Sequence, residues 1–202
     1  MNKGRLYIVS GPSGSGKDTI LKEVFKKCPE LFFSISSISR PMRPGEVEGE
    51  KYHFISKDEF LKLIEDDMLL EYNQFCGNYY GSPKKPVLDA IENGRDAVLE
   101  VDVNGAKQVR ESMTDAVSIF IMPPSYSELR RRLSGRGTET EEVINARMET
   151  ALQEISRASE YDYIVVNDDL SVAVDDFITV IKSQKLLTER QKNIIDEVLK
   201  NA

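Results

Sequence analysis

Short, mainly apolar runs alternate along the chain with longer segments in which apolar residues recur every three or four positions. Four such runs occupy residues 6–9, 97–101, 117–122 and 163–166. Runs of this length, rich in β-branched residues, are typical of strands buried on both faces of a parallel sheet. Helical spacing covers residues 17–27, 84–93, 106–111, 126–133 and 170–182. The alternation predicts an α/β fold in three layers, a mainly parallel central sheet flanked by helices.

Two stretches interrupt this rhythm. Residues 34–82 are rich in Ser, Arg, Gly and Tyr, with short alternating runs, and predict a small mixed insert with its own helix near Lys57–Glu65. Residues 134–159 begin with glycines and continue as a polar helix with spaced arginines, which is typical of a mobile lid. We therefore expect a single domain over 1–202, with a core formed by residues 1–33, 83–133 and 160–202.

Size and charge narrow the class of protein. With 202 residues and 40 % hydrophobic content, the chain can bury one sizeable core. Its formal net charge of −7 disfavours nucleic-acid binding, which requires clustered Lys and Arg. No apolar run is long enough for a membrane span or a signal-peptide core, so we expect a cytoplasmic protein without membrane contact. Two cysteines and a lone histidine cannot assemble an ordinary zinc site, which leaves reduced thiols.

The tail, residues 186–200, has the spacing of an amphipathic helix. Such a helix suits packing or self-association better than catalysis. It could mediate a dimer or cover the protein's own core, so both a monomer and a homodimer are compatible with the sequence.

A glycine-rich loop follows the first apolar run at once and precedes a helix. It consists of Gly11, Pro12, Ser13, Gly14, Ser15, Gly16 and Lys17. Glycines allow successive backbone N–H groups to converge on phosphate oxygens, the helix N-terminus adds partial positive charge, and the lysine bridges the β- and γ-phosphates. These residues, here called the P-loop, predict ATP binding.

The P-loop departs from its usual pattern at the next position. Asp18 stands where Ser or Thr would bind magnesium, and Thr19 follows it. Glu100 and Asp102 lie at the carboxyl end of a predicted strand, where ligands gather in open α/β sheets. These four are candidates for holding Mg²⁺, directly or through water, although each carboxylate could instead orient an arginine or form a structural ion pair.

Several segments resemble one known family. The sequences SISSISRPMRPGEVEGEKYHFIS and LLEYNQFCGNYYGSP resemble the GMP-binding region of guanylate kinases, and LEVDVNGA and GRGTETEE resemble their core and lid motifs. With GPSGSGK and IVVNDDL, the likeness extends in one order over nearly the whole chain. The resemblance implies a nucleoside monophosphate kinase that transfers the γ-phosphoryl group of MgATP to GMP, and to dGMP as a further acceptor.

The resemblance also implies the GMP-binding residues. The GMP phosphate would be bound by Arg40, Arg43, Tyr52 and Tyr80. Guanidinium groups match phosphate oxygens bidentately, and tyrosine hydroxyls donate without adding charge. The guanine base would be read by Ser36, Glu71, Ser82 and Asp102. A carboxylate at Glu71 can accept from N1–H and the 2-amino group, whereas the unprotonated N1 of adenine would face it lone pair to lone pair.

In the lid and near the ATP, the resemblance implies a second set. It comprises Arg132, Arg136 and Arg147, which would close over the ATP phosphates, and Asn167, near the adenine. Arg130 and Arg131 could be merely solvated, as basic residues of a polar helix usually are. His53 is interpreted as structural, because alternation places it in a strand.

The expected chemistry needs no general base. The second pKa of a phosphate monoester is near 6, so the GMP phosphate is largely deprotonated at neutral pH. Catalysis would consist of in-line alignment and charge neutralisation by Mg²⁺ and cationic side chains. The side chains expected to be catalytic are Lys17, Arg40, Arg43, Arg136 and Arg147. Two alternatives are a catalytically silent interaction module of the same fold, and a P-loop kinase for another small phosphate ester.

Overall fold

The computed structural model describes residues 3–135 and 140–200. Its strands are β1 (Leu6–Ser10), β2 (Phe32–Phe33), β3 (Ser36–Ile38), β4 (Tyr52–Phe54), β5 (Leu69–Phe75), β6 (Asn78–Pro83), β7 (Ala97–Glu100), β8 (Val117–Met122) and β9 (Tyr163–Val166). Its α-helices are α1 (Lys17–Lys27), α2 (Lys57–Glu65), α3 (Lys84–Glu92), α4 (Val103–Ser112), α5 (Tyr126–Ser134), α6 (Glu141–Ile155), α7 (Leu170–Lys185) and α8 (Lys192–Lys200).

The central sheet has the order β2-β7-β1-β8-β9, and all its pairs are parallel. The predicted parallel sheet between helices is thus confirmed. Its four longer strands match the four apolar runs to within one residue. The short edge strand β2 was not predicted, because two residues carry no periodicity and the strand is defined only by its pairing with β7.

The two faces of the central sheet bury different residues of the same strands. Val9 packs in a cluster with Val24 of α1 and Phe177 of α7. Ile8, its neighbour on β1, packs on the opposite face with Val109 of α4. Alternate residues of a strand point to opposite faces, so burial on both faces follows from helices lying on each side. The carboxyl ends of the strands remain open for a site.

The insert, residues 34–82, forms a second sheet of order β4-β3-β6-β5. β3 pairs parallel to β4 and antiparallel to β6, so the sheet is mixed, as predicted. Helix α2 begins after a capping box in which the Ser56 side chain accepts from the Glu59 N–H and the Glu59 side chain accepts from the Ser56 N–H. Phe60 of α2 is fully buried and stacks on Tyr79, with 5.4 Å between ring centroids.

Helices α5 and α6 form a third apolar cluster, which includes Leu129, Leu133, Ile144 and Met148. Helix α7 continues to Lys185, three residues beyond the predicted end, and α8 follows after a 3₁₀ turn at Thr188–Arg190. α8 has no buried residue. The helix predicted over residues 186–200 is therefore shorter than expected: residues 186–191 connect α7 to α8 and include the 3₁₀ turn, and α8 itself does not cover the core. Within residues 3–135 and 140–200, no helix is long and apolar enough to cross a membrane.

Candidate active site

The P-loop lies at the carboxyl end of β1 and leads into α1. Gly14 and Gly16 have φ values of 86° and 89°, in the left-handed region that favours glycine. A Cβ on Gly16 would also lie 2.2 Å from Nδ2 of Asn167. Inside the loop, Ser15 is fully buried, and its hydroxyl finds no hydrogen-bond partner in the part of the chain that the structure describes. A buried hydroxyl without a partner fits a site that receives a phosphate oxygen.

Lys17 turns its ammonium back towards this loop. Nζ donates to the carbonyl oxygen of Gly11 at 2.5 Å and to that of Pro12 at 3.2 Å. Burial lowers the pKa of Lys17, and the nearby carboxylate of Glu100 acts in the opposite direction. The charge is therefore held over the loop, where a bound phosphate would compensate it.

Lys51, which sequence analysis did not single out, connects the insert to the core. Its ammonium forms an ion pair with Asp18 in the first turn of α1, and Nζ lies 3.2 Å from Oε2 of Glu100 at the end of β7. Burial alone would raise the pKa of Asp18, but the hydrogen bond and charge of Lys51 lower it. Burial raises the pKa of Glu100. Two of the candidate magnesium ligands thus share one cation.

The other two candidate ligands have different surroundings. The Asp102 carboxylate accepts from the backbone N–H groups of Asn104 and Gly105, both at 2.8 Å, and so caps α4. It also accepts from Nδ2 of Asn73, at 3.1 and 3.2 Å. Because Asp102 caps this helix, β7 ends at Glu100 and not at residue 101. Thr19 is exposed on the first turn of α1.

Arg132, just before the predicted lid, and Arg147 within it both contact the P-loop. Arg132 donates to the carbonyl oxygen of Asn167 at 2.9 Å and to that of Ser15 at 3.4 Å, while the Asn167 side chain donates to Ser15 O at 2.7 Å. Arg147 of α6 donates to Oγ of Ser13 at 2.8 Å. Arg136 lies outside the described residues.

The neighbouring basic residues of α5 have other partners. Arg131 is bound to Glu128, with both of its hydrogen bonds at 2.7 Å. Arg130 contacts Asn145 and Glu141 of α6.

The residues expected to bind the GMP phosphate include Arg40. Its side chain is only 9 % exposed, and its guanidinium carbon lies 5.7 Å from the ring centroid of Tyr52. Glu46, which sequence analysis missed, accepts two hydrogen bonds from this guanidinium and a third from the backbone N–H of Arg43 at 2.7 Å. Hydrogen bonding to Glu46 raises the pKa of Arg40, with a smaller contribution from Tyr80. Three of the four predicted side chains, those of Arg40, Tyr52 and Tyr80, therefore come together.

The proposed base-reading residues form a hydrogen-bonded chain. Oγ of Ser82 donates to Oε1 of Glu71 at 2.7 Å and lies 3.4 Å from Oγ of Ser36. Glu71 is 6 % exposed and Ser82 is fully buried. Burial raises the pKa of Glu71 to about 7, and the charge of Asp102 acts in the same direction. All four predicted positions thus lie in one neighbourhood, at the junction of the insert and α4.

Three site residues were not found from sequence. Lys51 and Glu46 contact partners that come close only in the folded chain. The charge of either residue alone does not indicate in the sequence that it belongs to a site. Gln108 of α4 exchanges hydrogen bonds with the backbone of Tyr72, at 3.1 and 3.2 Å, and so ties β5 to the core. His53 is exposed, with Nδ1 2.9 Å from Oε1 of Glu48.

A glycine-rich phosphate loop with its lysine, together with the buried cation Arg40 and the buried carboxyl of Glu71, is typical of a P-loop phosphotransferase. Comparison with known proteins identifies the family. A model of the guanylate kinase family matches residues 3–184. A guanylate kinase of Carboxydothermus hydrogenoformans is 48 % identical over 94 % of this chain and 93 % of its own length. One of Desulfitobacterium hafniense is 44 % identical over 98 % of both chains.

Structural comparison agrees. A crystal structure of a guanylate kinase from Anaplasma phagocytophilum superimposes with a TM-score of 0.77 at 32 % identity, covering 94 % of this chain and 90 % of that one. The chain belongs to the guanylate kinase family, and it transfers a phosphoryl group from ATP to GMP.

Proposed function

We propose that ATP binds on the P-loop and GMP in the insert, with the two phosphates meeting beside Lys17 and Lys51. The observation that carries this proposal is the chain of hydrogen bonds from Ser36 through Ser82 to Glu71, together with Tyr80, which lies two residues before Ser82 on β6 and interacts with the buried guanidinium of Arg40. One end of this pocket suits a guanine edge, and the other suits a phosphate. The P-loop supplies the second phosphate site.

In this proposal, cationic side chains neutralise the negative charge on the phosphoryl group as it is transferred from ATP to GMP. Lys17 acts from the P-loop, Arg147 from the lid, and Arg40 and Arg43 from the insert, with Arg136 as a further lid cation. Arg132 binds the carbonyl groups of Ser15 in the P-loop and of Asn167, and Asn167 helps to form the adenine-binding part of the ATP site. Since the GMP phosphate is largely a dianion at neutral pH, no general base is required. The chain's task is alignment and exclusion of water.

Magnesium fits the donor set beside the P-loop. Asp18 and Glu100 present carboxylate oxygens to one cation, and Mg²⁺ commonly takes one or two carboxylates together with phosphate and water oxygens. We propose these two as its protein-side partners. Bound magnesium would supply charge neutralisation at the phosphates of ATP. Asp102 is proposed instead as a base-side residue, because its carboxylate already caps α4 and binds Asn73.

The proposed contacts reach the base and the phosphate of GMP and require no ribose 2′-hydroxyl. We therefore propose dGMP as a second acceptor. Adenine nucleotides would leave Glu71 facing an unprotonated ring nitrogen, and a buried polar group without its partner can reject an analogue by roughly 10⁴. Glu71→Gln should lose GMP affinity selectively, and an equal loss for ATP would contradict base reading.

The division into core, insert and lid remains part of the proposal. Residues 134–159 would close over ATP while the insert closes over GMP, which would exclude water and limit ATP hydrolysis. Ser134 and Gly135 are the proposed hinge positions in the described part of the lid, and Gly137 lies outside it. A cytoplasmic location is likewise proposed, since Cys28 and Cys76 are unpaired thiols, as reducing compartments maintain.

The oligomeric state, a monomer or a homodimer, can be measured directly. α8 exposes Ile194, Val198 and Leu199, at 58 %, 67 % and 68 % of their surfaces. Size-exclusion chromatography with light scattering distinguishes the two states.

A coupled ADP-release assay tests the proposed function. MgATP is supplied with GMP, dGMP, AMP, UMP, CMP or no acceptor. Turnover with the two guanine nucleotides alone supports the proposed base selectivity. Turnover with AMP or a pyrimidine nucleotide would contradict the role given to Glu71. ADP release without an acceptor would contradict the proposed exclusion of water.

A further inference from the structure

Gly105 lies in the first turn of α4, directly beneath the carboxylate of Glu71. A Cβ on Gly105 would lie 2.6 Å from Oε2 and 3.1 Å from the carboxyl carbon of Glu71. Carbon–oxygen contacts settle at about 3.3 Å or more, so a methyl group would displace this oxygen by roughly 0.7 Å. The carboxylate therefore occupies space that only a glycine leaves open.

The backbone gives no other reason for a glycine at this position. Gly105 is helical and is not among the residues with positive φ. Inside a helix, alanine is more stabilising than glycine. The backbone N–H of Gly105 donates to Oδ1 of Asp102, and alanine would keep that bond. The missing side chain is thus explained mainly by its tightest neighbour, Oε2 of Glu71 at 2.6 Å, with Cβ of Val101 as a second, looser neighbour at 3.2 Å.

Hydrogen bonds to α4 and its N-cap hold β5, the strand that carries Glu71, in place. Its next residue, Tyr72, exchanges two backbone hydrogen bonds with the amide of Gln108, and Asn73 donates to both oxygens of Asp102. On its other side, Glu71 is bound through Oε1 by the fully buried Ser82. A methyl group at position 105 would consequently move the carboxylate itself rather than the strand.

We propose that Gly105 is a specificity-determining positioning residue, whose missing side chain sets where Glu71 presents its carboxylate to the guanine base. This inference rests on the assignment of Glu71 as the base reader in the proposed function. The relevant ligand chemistry is a purine with N1–H and 2-amino donors. Gly105 makes no contact with substrate in this role and acts only through Glu71.

The test is a double-mutant cycle with four proteins: wild type, Gly105→Ala, Glu71→Ala and both changes together. KM for GMP, KM for ATP and kcat are measured for each, with IMP, which lacks the 2-amino group, as a second acceptor. Gly105→Ala should raise KM for GMP at least roughly tenfold, since a misplacement near 1 Å can reduce rates about a hundredfold. KM for ATP should stay within about twofold, and the preference for GMP over IMP should narrow.

The decisive comparison is the effect of Gly105→Ala without the carboxylate. In the Glu71→Ala background, the carboxylate contact is gone and only the looser approach to Cβ of Val101, at 3.2 Å, remains, so KM for GMP should change little further. An equal increase in both backgrounds would overturn the proposal in favour of a general structural role, as would an unchanged KM in the single variant. If Glu71→Ala itself leaves KM for GMP unchanged, the base-reader assignment fails, and this inference fails with it.

Two controls keep the cycle interpretable. Thermal unfolding should show that Gly105→Ala folds, with a Tm at or above that of the wild type if the methyl group suits the helix. Lys107→Ala changes an exposed side chain on the same helix, whose ion pair with Glu111 is long at 3.8 Å. This control should leave both KM values unchanged.

Discussion

Glu46 holds the guanidinium of Arg40 by two hydrogen bonds, from Nη1 to Oε2 at 2.7 Å and from Nη2 to Oε1 at 2.5 Å. Hydrogen bonding from Arg40 lowers the pKa of Glu46 to about 2, so this carboxylate is charged at any working pH. It fixes the fork of Arg40 beside the Tyr52 and Phe54 rings before GMP arrives. The arginine is thus pre-positioned for a phosphate.

Glu46→Gln should weaken GMP binding. The Gln amide keeps one acceptor oxygen but loses the negative charge and the second acceptor for the Arg40 guanidinium. KM for GMP should therefore rise roughly tenfold, while KM for ATP stays unchanged. Steady-state kinetics with each substrate varied in turn measure both values. Glu50→Gln, an exposed neighbour in the same loop, is the matched control. A lower KM for GMP would instead mean that Glu46 competes with the substrate phosphate.

The buried carboxyl of Glu71 should make the stability of the nucleotide-free protein depend on pH. Burial raises its pKa from 4.5 to about 7, so between these values the folded protein holds a proton that the unfolded chain has lost. The free energy of unfolding therefore falls as pH rises through this window. The full effect, present above pH 7, is a destabilisation on the order of 3 kcal/mol.

Glu71→Gln removes the ionisable group and should therefore remove this dependence of the free energy of unfolding on pH. Urea unfolding at pH 5, 6, 7 and 8 should show the wild type losing stability relative to the variant as pH rises. Glu65→Gln replaces an exposed carboxyl on α2 and should follow the wild type. Parallel curves for wild type and Glu71→Gln would contradict the raised pKa.

The sequence predicted regular elements best where one segment carries the whole signal. β8 at Val117–Met122 and α2 at Lys57–Glu65 were predicted to the residue, the first from a run that is apolar except at Ser118 and the second from its own local sequence. By contrast, β2 exists only through pairing with β7 across more than sixty positions, a partner that its two residues cannot specify.

The same distinction applies to the site. Glycine and lysine spacing predicts the P-loop because its residues are contiguous. Lys51 contacts Asp18, which lies 33 positions away in the sequence, and Gly105 contacts Glu71, which belongs to another element. No local sequence pattern predicts either contact. The predicted helix covered residues 106–111, whereas α4 begins at Val103, so the sequence did not place Gly105 inside a helix, where a glycine indicates a close neighbour.

Asp18, which replaces the usual hydroxyl of the P-loop, should affect the magnesium requirement. Asp18→Asn keeps the shape of the side chain and removes one of the two carboxylates that share the ammonium of Lys51. The magnesium concentration for half-maximal activity should rise roughly fivefold, with KM for ATP at saturating magnesium unchanged. Lys51→Met removes a cation that competes for the same carboxylates, so it should shift the magnesium titration the opposite way.

Magnesium titrations at fixed total ATP measure both effects, and Glu23→Gln on the outer side of α1 serves as the control. An unchanged titration for Asp18→Asn would remove Asp18 from the magnesium site. The same shift for Asp18→Asn and Lys51→Met would mean that their ion pair matters as a structural contact only.

Arg147 in the lid and Arg131 just before it form a matched pair with opposite expected effects on activity. Arg147 reaches the tip of the P-loop, with Nη2 2.8 Å from Oγ of Ser13, whereas the side chain of Arg131 is 74 % exposed and bound to Glu128. A cation that meets charge developing in the transition state contributes mainly to kcat, and loss of one such donor costs about 10²–10³ in rate. Arg147→Met should therefore lower kcat by roughly that factor with little change in KM for GMP, while Arg131→Met stays within about twofold. Each variant loses one positive charge, Arg147 from α6 in the lid and Arg131 from α5 just before it, so equal losses would show that the net charge of this region, and not the position of Arg147, governs the rate.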